Sequence, residues 1–124
     1  MDKRLTLASE FLEEAQRQLK KYGKTKKELN LRQACEKGWG TVAQALKVVN
    51  PEIKRHAEFG KTAAKLAREY NNEKIMYDEA FGEHLHRAGF YEGLLGVEEI
   101  KYGLSAVEDF LKSIDSILSN GGKV

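Results

Sequence analysis

The sequence predicts an all-α protein, an up-and-down helical bundle with four long core helices and one more packed alongside. Apolar residues recur at alternating steps of three and four along most of the chain, which is the spacing of amphipathic helices. Strand-forming runs of Val, Ile and Thr are missing, and the chain has one proline. Its 124 residues suit a single domain. We expect residues 1–120 to form that domain and residues 121–124 to be a frayed tail.

The first two helices are predicted to meet at a basic turn. A regular apolar stripe predicts a first helix over residues 2–22, and Gly23 is a typical stop signal. Thr25 and Glu28 have the spacing of a capping box, in which the hydroxyl accepts a backbone amide of the next helix and the carboxylate reaches back. The second helix therefore begins at this turn, and we expect it to end at Asn50.

The remaining three helices follow from their caps and their periodicity. Asn50 as N-cap, with Pro51 at the first helical position, predicts a third helix that ends near Tyr70. A fourth helix is predicted over residues 73–95. A fifth is predicted over residues 97–118, where two glutamates in the first turn suit the helix dipole. The core stripe predicted for the fourth helix consists of Tyr77, Phe81, Leu85, Ala88 and Tyr91.

Four glycines lie on one side of the fourth predicted helix. At roughly 100° per residue, Gly82, Gly89, Gly93 and Gly96 fall within about a sixth of the helix circumference. Each glycine in a helix interior costs on the order of 1 kcal/mol relative to alanine, so four on one side require a reason. The pattern predicts a helix crossing too close for a Cβ atom, either within the chain or with a second subunit.

Composition narrows the class of protein. No apolar run approaches the roughly 18 residues that a membrane span needs, and no signal-like apolar segment follows the N-terminus. Cys35 has no second cysteine with which to form an internal disulfide, which is usual in a reducing cytoplasm. No nucleotide-fold fingerprint and no catalytic-triad spacing is present. We therefore predict a cytoplasmic protein without membrane contact and without a cofactor.

Charge is unevenly distributed along the chain. Residues 1–68 hold 16 Lys or Arg and 8 Asp or Glu, whereas residues 69–124 hold 5 and 11. This asymmetry is typical either of a polyanion-binding face or of ordinary differences between helix surfaces. The densest basic cluster, a candidate for phosphate contacts, consists of Lys20, Lys21, Lys24, Lys26 and Lys27.

Polar chemistry concentrates near the end of the fourth predicted helix. Glu83 and His86 form one Glu-x-x-His step, and helical phase places His86 nearly opposite the apolar stripe. Di-iron helical bundles use two such steps. His56 follows Glu52 at the wrong spacing to supply the second, so no metal site is predicted.

Glu92 is the most informative carboxylate in this region. Helical phase places it within the apolar face, and a buried carboxylate needs a cationic partner or a raised pKa. We predict that Glu92 is partly buried and pairs with Lys47 or Arg87. The alternative is a helix break at Gly89 that returns Glu92 to solvent.

Two blocks of the sequence resemble the archaeal PaREP family. They read Ala34-x-Glu36-Lys37-x-Trp39-x-x-x-Ala43-x-Ala45-x-Lys47 and Leu85-His86-x-x-x-Phe90-Tyr91-Glu92. That family is a branch of the HEPN superfamily of small helical domains, named for nucleotide binding, so the resemblance implies a HEPN-like bundle. With Arg87 added from within the second block, the ligand-binding candidates are Glu36, Lys37, His86, Arg87, Tyr91 and Glu92.

The resemblance also bears on catalysis. Many HEPN domains are ribonucleases that use an arginine followed, after four to six residues, by a histidine near a dimer interface. None of the six arginines of this chain has a histidine at that distance. They are Arg4, Arg17, Arg32, Arg55, Arg68 and Arg87. We therefore name no catalytic residue and expect no ribonuclease activity.

Three functions follow from the resemblance and the residue pattern. The first is a non-catalytic binding module for a nucleotide, RNA or partner protein, acting as a homodimer. Other HEPN domains accompany a nucleotidyltransferase, which is the protein partner that the resemblance implies. The second is a divergent ribonuclease or phosphotransfer enzyme that uses His86, Tyr91 and Glu92. The third is a structural, dimerising interaction protein.

Overall fold

The computed structural model describes residues 1–120, and five helices account for most of them. A short 3₁₀ turn, Lys3–Leu5, leads into the first helix. The helices are α1 (Thr6–Thr25), α2 (Glu28–Val49), α3 (Ala57–Glu69), α4 (Lys74–His84) and α5 (Val97–Ser119). A π-helical segment, Leu85–Tyr91, continues α4. Residues 1–120 contain no strand, so the predicted all-α class is confirmed. The predicted tail at 121–124 lies outside the described residues.

The bundle is organised around α2. This helix packs against α1, the π-helical segment and α5, while α4 packs against α5 and the shorter α3 packs mainly against α4. The predicted arrangement of four core helices with one alongside is therefore confirmed. The largest fully buried side chains come from the 3₁₀ turn, α2, α4, the π-helical segment and α5, and they form one hydrophobic core; they include Leu5, Leu46, Ile75, Leu85, Ile100, Phe110 and Ile114.

The predicted turn between the first two helices is wrong in detail. Gly23 does not end α1, which continues to Thr25 and is closed by Lys26 in a left-handed conformation (φ 56°). Because Thr25 is still helical, its hydroxyl accepts from the Lys27 amide (3.1 Å) instead of capping α2. The start of α2 has no side-chain cap, so the predicted capping box with Glu28 is absent.

The connection between α2 and α3 is longer than predicted. Asn50 and Pro51 do not begin a helix, since residues 50–56 form a turn before α3 starts at Ala57. The Asn50 side chain instead donates to the Thr62 hydroxyl (3.0 Å). The carboxylate of Glu58 accepts from the backbone amides of Lys54 (3.2 Å) and Arg55 (2.9 Å), which holds the turn against α3. This turn places His56 over the middle of the bundle, against Trp39.

The fourth helix buries a different face from the one predicted. Tyr77, Phe81 and Tyr91 are exposed, and the predicted stripe is therefore wrong at these positions. The buried residues of α4 are Ile75, Asp78, Glu79 and Gly82. Gly82 explains the difference, because a Cβ atom there would lie 2.9 Å from Val42 of α2. The glycine face allows α4 to approach α2 more closely than the aromatic face would.

The glycine prediction is confirmed for half of its residues. Gly82 and Gly89 both lie against α2 of the same chain, and a Cβ atom on Gly89 would collide with the Cys35 side chain. Gly93 and Gly96 are not helical: Gly93 has a positive φ of 65° in the connection, and Gly96 is the N-cap of α5. The helix ends at Tyr91 rather than residue 95 because the chain reverses here.

Candidate functional site

Trp39 of α2 is the floor of a cluster of aromatic and imidazole rings. Its side chain is buried and is flanked by Gly38 and Gly40 on the same helix. Phe59 of α3 meets it edge to face, with ring centroids 5.2 Å apart. Trp39 therefore belongs to the hydrophobic core. Trp39 also supports two more exposed rings, because the imidazoles of His56 and His86 pack against its indole.

Two histidines lie on Trp39, and neither is close to the other in sequence. His56 from the α2–α3 turn and His86 from the π-helical segment have centroids 5.2 Å and 5.4 Å from the indole. The two imidazoles are 5.5 Å apart and nearly parallel, with an interplanar angle of 19°. His86 was predicted to lie opposite the apolar face. It is instead largely covered, because α4 buries the face of Glu79 and Gly82, and His86 follows Gly82 by four residues on that same face.

Two further rings of the π-helical segment extend the cluster outward. Tyr91 contacts the His86 ring edge to face at 4.8 Å, and Phe90 lies 5.1 Å from Tyr91. Tyr91 is 65% exposed. We call these six residues the ring cluster: Trp39, His56, Phe59, His86, Phe90 and Tyr91. It runs from a buried indole to two exposed rings, His56 and Tyr91, on either side of His86.

Each histidine is held by a glutamate. Glu36 of α2 lies 2.9 Å from His86 Nδ1, and Glu83 of α4 lies 2.6 Å from His56 Nε2. Because a carboxylate only accepts hydrogen bonds, the imidazole nitrogen in each pair carries the proton. When the rings are neutral, His86 Nε2 and His56 Nδ1 are therefore acceptors. Fixing a histidine tautomer with a carboxylate is how proteins orient an imidazole for proton transfer or for a ligand.

A buried acid lies behind the exposed pair of His56 and Glu83. Burial, a hydrogen bond with Glu83 and the charge of Glu83 raise the pKa of Glu79 to about 8. Burial also acts to raise the pKa of Glu83, but hydrogen bonds from Glu79 and His56 outweigh it and lower that pKa. Of the two carboxyl groups, Glu79 is therefore the one that is protonated, and it donates the hydrogen bond to the Glu83 carboxylate. The Oε2 atom of Glu79 is buried without a hydrogen-bond partner among the described residues.

The prediction that Glu92 is partly buried and pairs with Lys47 or Arg87 is wrong. Glu92 is exposed and forms no ion pair within residues 1–120, because the helix ends one residue before it. Arg87 lies 3.8 Å from Glu83 instead, and Lys47 lies over the Phe59 ring at 5.9 Å. Glu92 and Arg87 do line one shallow depression beside Glu83. The alternative of a solvent-exposed Glu92 is the correct one, although the break follows Tyr91 rather than Gly89.

The other predicted site residues lie apart from the ring cluster. Lys37 points to α1, where its ammonium lies 5.2 Å from the Phe11 ring centroid, and it lines a small cleft with Glu10 and Glu14. The basic cluster is exposed on the last turns of α1 and the α1–α2 connection; it consists of Lys20, Lys21, Lys24, Lys26 and Lys27. The structure thus brings together Glu36, His86 and Tyr91 from the predicted set.

Three titratable residues of the site are not among the candidates predicted from the sequence: His56, Glu79 and Glu83. No local pattern in the sequence connects His56 to Glu83, which follows 27 residues later. Glu79 and Glu83 did carry a signal, since acids four residues apart share a helix face and repel each other. Two such carboxylates on a buried face favour one shared proton.

No group of three or more metal-ligating side chains is arranged to hold an ion within residues 1–120. The same part of the chain contains no helix that is both long enough and apolar enough to cross a bilayer.

Comparisons with known proteins identify relatives for the whole bundle. The model of the archaeal PaREP1/PaREP8 family matches residues 3–111, from the first turn into α5. A crystal structure of a protein from Sulfolobus solfataricus is similar at 26% sequence identity, with a TM-score of 0.76. The similarity covers 91% of this chain and 97% of that one. No curated protein matches the chain.

Proposed function

The chain belongs to the archaeal PaREP1/PaREP8 family, and we propose that it is a binding domain for the base of a nucleotide or of single-stranded RNA. The ring cluster is the observation that carries this proposal. Its exposed members, His56 and Tyr91, are separated by His86, whose ring is held in place by Glu36 and Trp39. A heterocyclic base gains about 1–3 kcal/mol by stacking on one such ring, and it does so with little regard to sequence.

Polar groups beside the rings fit the rest of such a ligand. His86 Nε2 and His56 Nδ1 offer hydrogen bonds to base edges, since their other nitrogens are held by glutamates. Arg87 is exposed next to Glu83, and Arg55 precedes His56 in the turn; both suit phosphate contacts. The basic cluster at the α1–α2 connection ends at Lys27, which is twelve residues, or roughly 18 Å along α2, from Trp39. It is therefore accessible to a strand of RNA rather than to a mononucleotide bound at the rings.

Trp39 supplies the assay, because it is the only tryptophan and lies directly beneath the histidines. We expect its fluorescence to change on titration with a mononucleotide or a short RNA. Tyr91→Ala and His86→Ala should each weaken that binding by about tenfold or more. Leu29→Ala, an exposed apolar residue on α2, is the matched control and should bind like the parent. A fluorescence signal that no base-containing ligand changes at millimolar concentration would refute the proposal.

The two histidine–glutamate pairs also favour a second function, acid–base catalysis on a phosphate ester. In this alternative His86, oriented by Glu36, accepts or donates the proton, and Tyr91 lies beside it; Glu92 is not part of the pair. The missing Arg-to-His spacing still leads us to expect no RNA cleavage. A single-stranded RNA incubated with the protein and EDTA tests this. Cleavage that is lost in both His86→Ala and His56→Ala would establish the enzymatic function in place of simple binding.

We propose in addition that the domain acts as a homodimer in the cytoplasm. Gly82 and Gly89, the two helical glycines among the candidates for a dimer contact, pack against α2 of their own chain, so another surface is needed. Exposed aromatic side chains on α4 and α5 support such a surface. The lone buried Cys35 supports a reducing compartment.

A further inference from the structure

Arg32 lies on the face of α2 that carries the ring cluster. At roughly 100° per residue, the side chains of Arg32, Glu36 and Trp39 fall within about 60° of one another around the helix. Along the helix axis Arg32 is roughly 6 Å from Glu36, which holds His86, and roughly 10 Å from Trp39. Arg32 therefore lies one helical turn from the centre of the site, on the side of the basic cluster.

The connection after the π-helical segment packs directly on the Arg32 guanidinium. Gly93 has a positive φ of 65°, and a Cβ atom there would collide with the Nε, Cζ and Nη2 atoms of Arg32. A glycine in this left-handed conformation lets the backbone lie against the guanidinium, which a larger residue would displace. Gly93 follows Tyr91 by two residues, so their Cα atoms are at most about 7 Å apart. The contact therefore places the guanidinium next to the end of the π-helical segment that carries Tyr91.

The protein positions Arg32 without satisfying its hydrogen bonds. The Nε atom is buried and has no hydrogen-bond partner among the described residues. Its ion pair with the Glu28 carboxylate is 3.6 Å long, which exceeds a hydrogen bond. The Arg32 side chain is nevertheless 39% exposed, so it lies partly under the connection and partly in solvent. An arginine that is held by packing and not by an acceptor of its own suits an anionic oxygen supplied by a ligand.

We propose that Arg32 forms a phosphate subsite of the ring cluster, so that a nucleotide stacked on the Tyr91 ring places its phosphate on the Arg32 guanidinium. This subsite rests on the base-binding function proposed above and accounts for the part of the ligand that the rings do not hold. A guanidinium binds phosphate through paired N–H donors, a geometry that a lysine does not offer. A free nucleotide and the phosphodiester of a strand both present this group.

Two comparisons favour Arg32 over the other cations near the rings. Arg87 lies 3.8 Å from Glu83, whose carboxylate is fixed by its 2.6 Å contact with His56 and stays beside the guanidinium. Glu28 is 65% exposed and can turn into solvent when a phosphate arrives at Arg32. Lys27 of the basic cluster is five residues from Arg32, or roughly 8 Å along α2. A strand that continues past Arg32 would therefore reach the basic cluster next.

The test compares the dissociation constants of adenosine, adenosine 5′-monophosphate and a short oligoadenylate, measured by Trp39 fluorescence. We expect the phosphate to tighten binding to the parent by about tenfold or more, and Arg32→Gln to remove that gain while binding adenosine like the parent. Arg32→Lys keeps the charge but not the fork, so it should retain part of the gain. Arg68→Gln is the matched control, because this exposed arginine is roughly 14 Å along α3 from Phe59; it should keep the full gain.

The two phosphate-containing ligands separate the sources of the phosphate. A gain with the mononucleotide supports a free nucleotide, and a gain confined to the oligoadenylate supports a strand; Arg32→Gln should remove either one. Equal binding of all three ligands by the parent would refute the phosphate subsite alone. A gain that survives in Arg32→Gln but is lost in Arg87→Gln would refute the assignment to Arg32. Failure of every ligand to bind would refute the base-binding function and the subsite with it. Unchanged adenosine binding by Arg32→Gln shows that the variant keeps its fold.

Discussion

The raised pKa of Glu79 makes a quantitative prediction about stability and pH. The folded protein holds the Glu79 proton up to about pH 8, whereas the unfolded chain releases it near the ordinary glutamate pKa of 4.5. Between these values the folded state binds more protons than the unfolded state, so the free energy of unfolding falls as pH rises. The slope is about 1.4 kcal/mol per pH unit for one proton. From pH 4.5 to pH 7 the loss is therefore about 3 kcal/mol.

Glu79→Gln removes this dependence while keeping the shape of the side chain. The amide donates to Glu83 as the protonated acid does, and it does not titrate. We expect Glu79→Gln and the parent to have similar stability at pH 5 and the variant to be more stable by about 3 kcal/mol at pH 7. Glu83 acts in a different window: its lowered pKa provides stability above the unfolded value that is lost as pH falls through the folded one.

Urea denaturation at pH 5, 6, 7 and 8 measures the difference, followed by circular dichroism. Glu13→Gln, an exposed glutamate on α1, is the matched control and should parallel the parent at every pH. The reasoning is refuted if Glu79→Gln also parallels the parent, because the carboxyl group would then titrate alike in the folded and unfolded states. Equal loss of stability at all pH values would instead mean that the amide fails to replace the hydrogen bond.

Three further predictions concern the core and its ion pairs. Gly89→Ala should lower the free energy of unfolding by about 1–3 kcal/mol in thermal or urea melts, because the new Cβ collides with Cys35. Gly23→Ala, with open space around it in α1, should raise the free energy of unfolding by up to about 1 kcal/mol. Equal stability of the two variants would contradict the close crossing. Cys35 should resist a thiol reagent at pH 8 and react after addition of urea, since burial raises its pKa to about 12; rapid reaction of the folded protein would disprove this. Lys74→Met should cost about 1–3 kcal/mol in urea melts because it leaves the buried Asp78 carboxylate unpaired, and an unchanged midpoint would show that Asp78 is solvated.

The fold was predictable where one apolar stripe had no competitor. The α5 stripe has no competing apolar face, and the prediction of 97–118 differs by one residue from Val97–Ser119. In α4 two faces competed, one aromatic and one rich in glycine, and periodicity alone favours the larger side chains. The observed choice depends on Val42 of α2, which only a glycine face approaches closely. Which face of α4 is buried therefore depends on the helix that packs against it, and the sequence of α4 alone does not show it.

The site was predictable only in part for the same reason. The block around His86 was recognised, and its partner Glu36 was among the candidates, but 50 residues separate the pair. His56 depends on a turn that the Asn50-Pro51 pattern concealed, because these residues are equally typical of a helix start. The exposure of Glu92 depends on where the π-helical segment ends, and helical phase counted at 3.6 residues per turn does not detect an extra residue.

That extra residue has a consequence for how the site can change. A π-helical segment contains one more residue than the α-helix that would span the same length, so removing one residue there, such as Ala88, restores the regular register. Every position after the deletion then rotates by about 100°, while α4 before it keeps its packing. Tyr91 would leave the rings, whereas Glu79, Glu83 and His56 would stay in place. Deletion of one residue would thus remove the stacking ring of Tyr91 from the site and leave the proton-holding carboxyl pair of Glu79 and Glu83 unchanged.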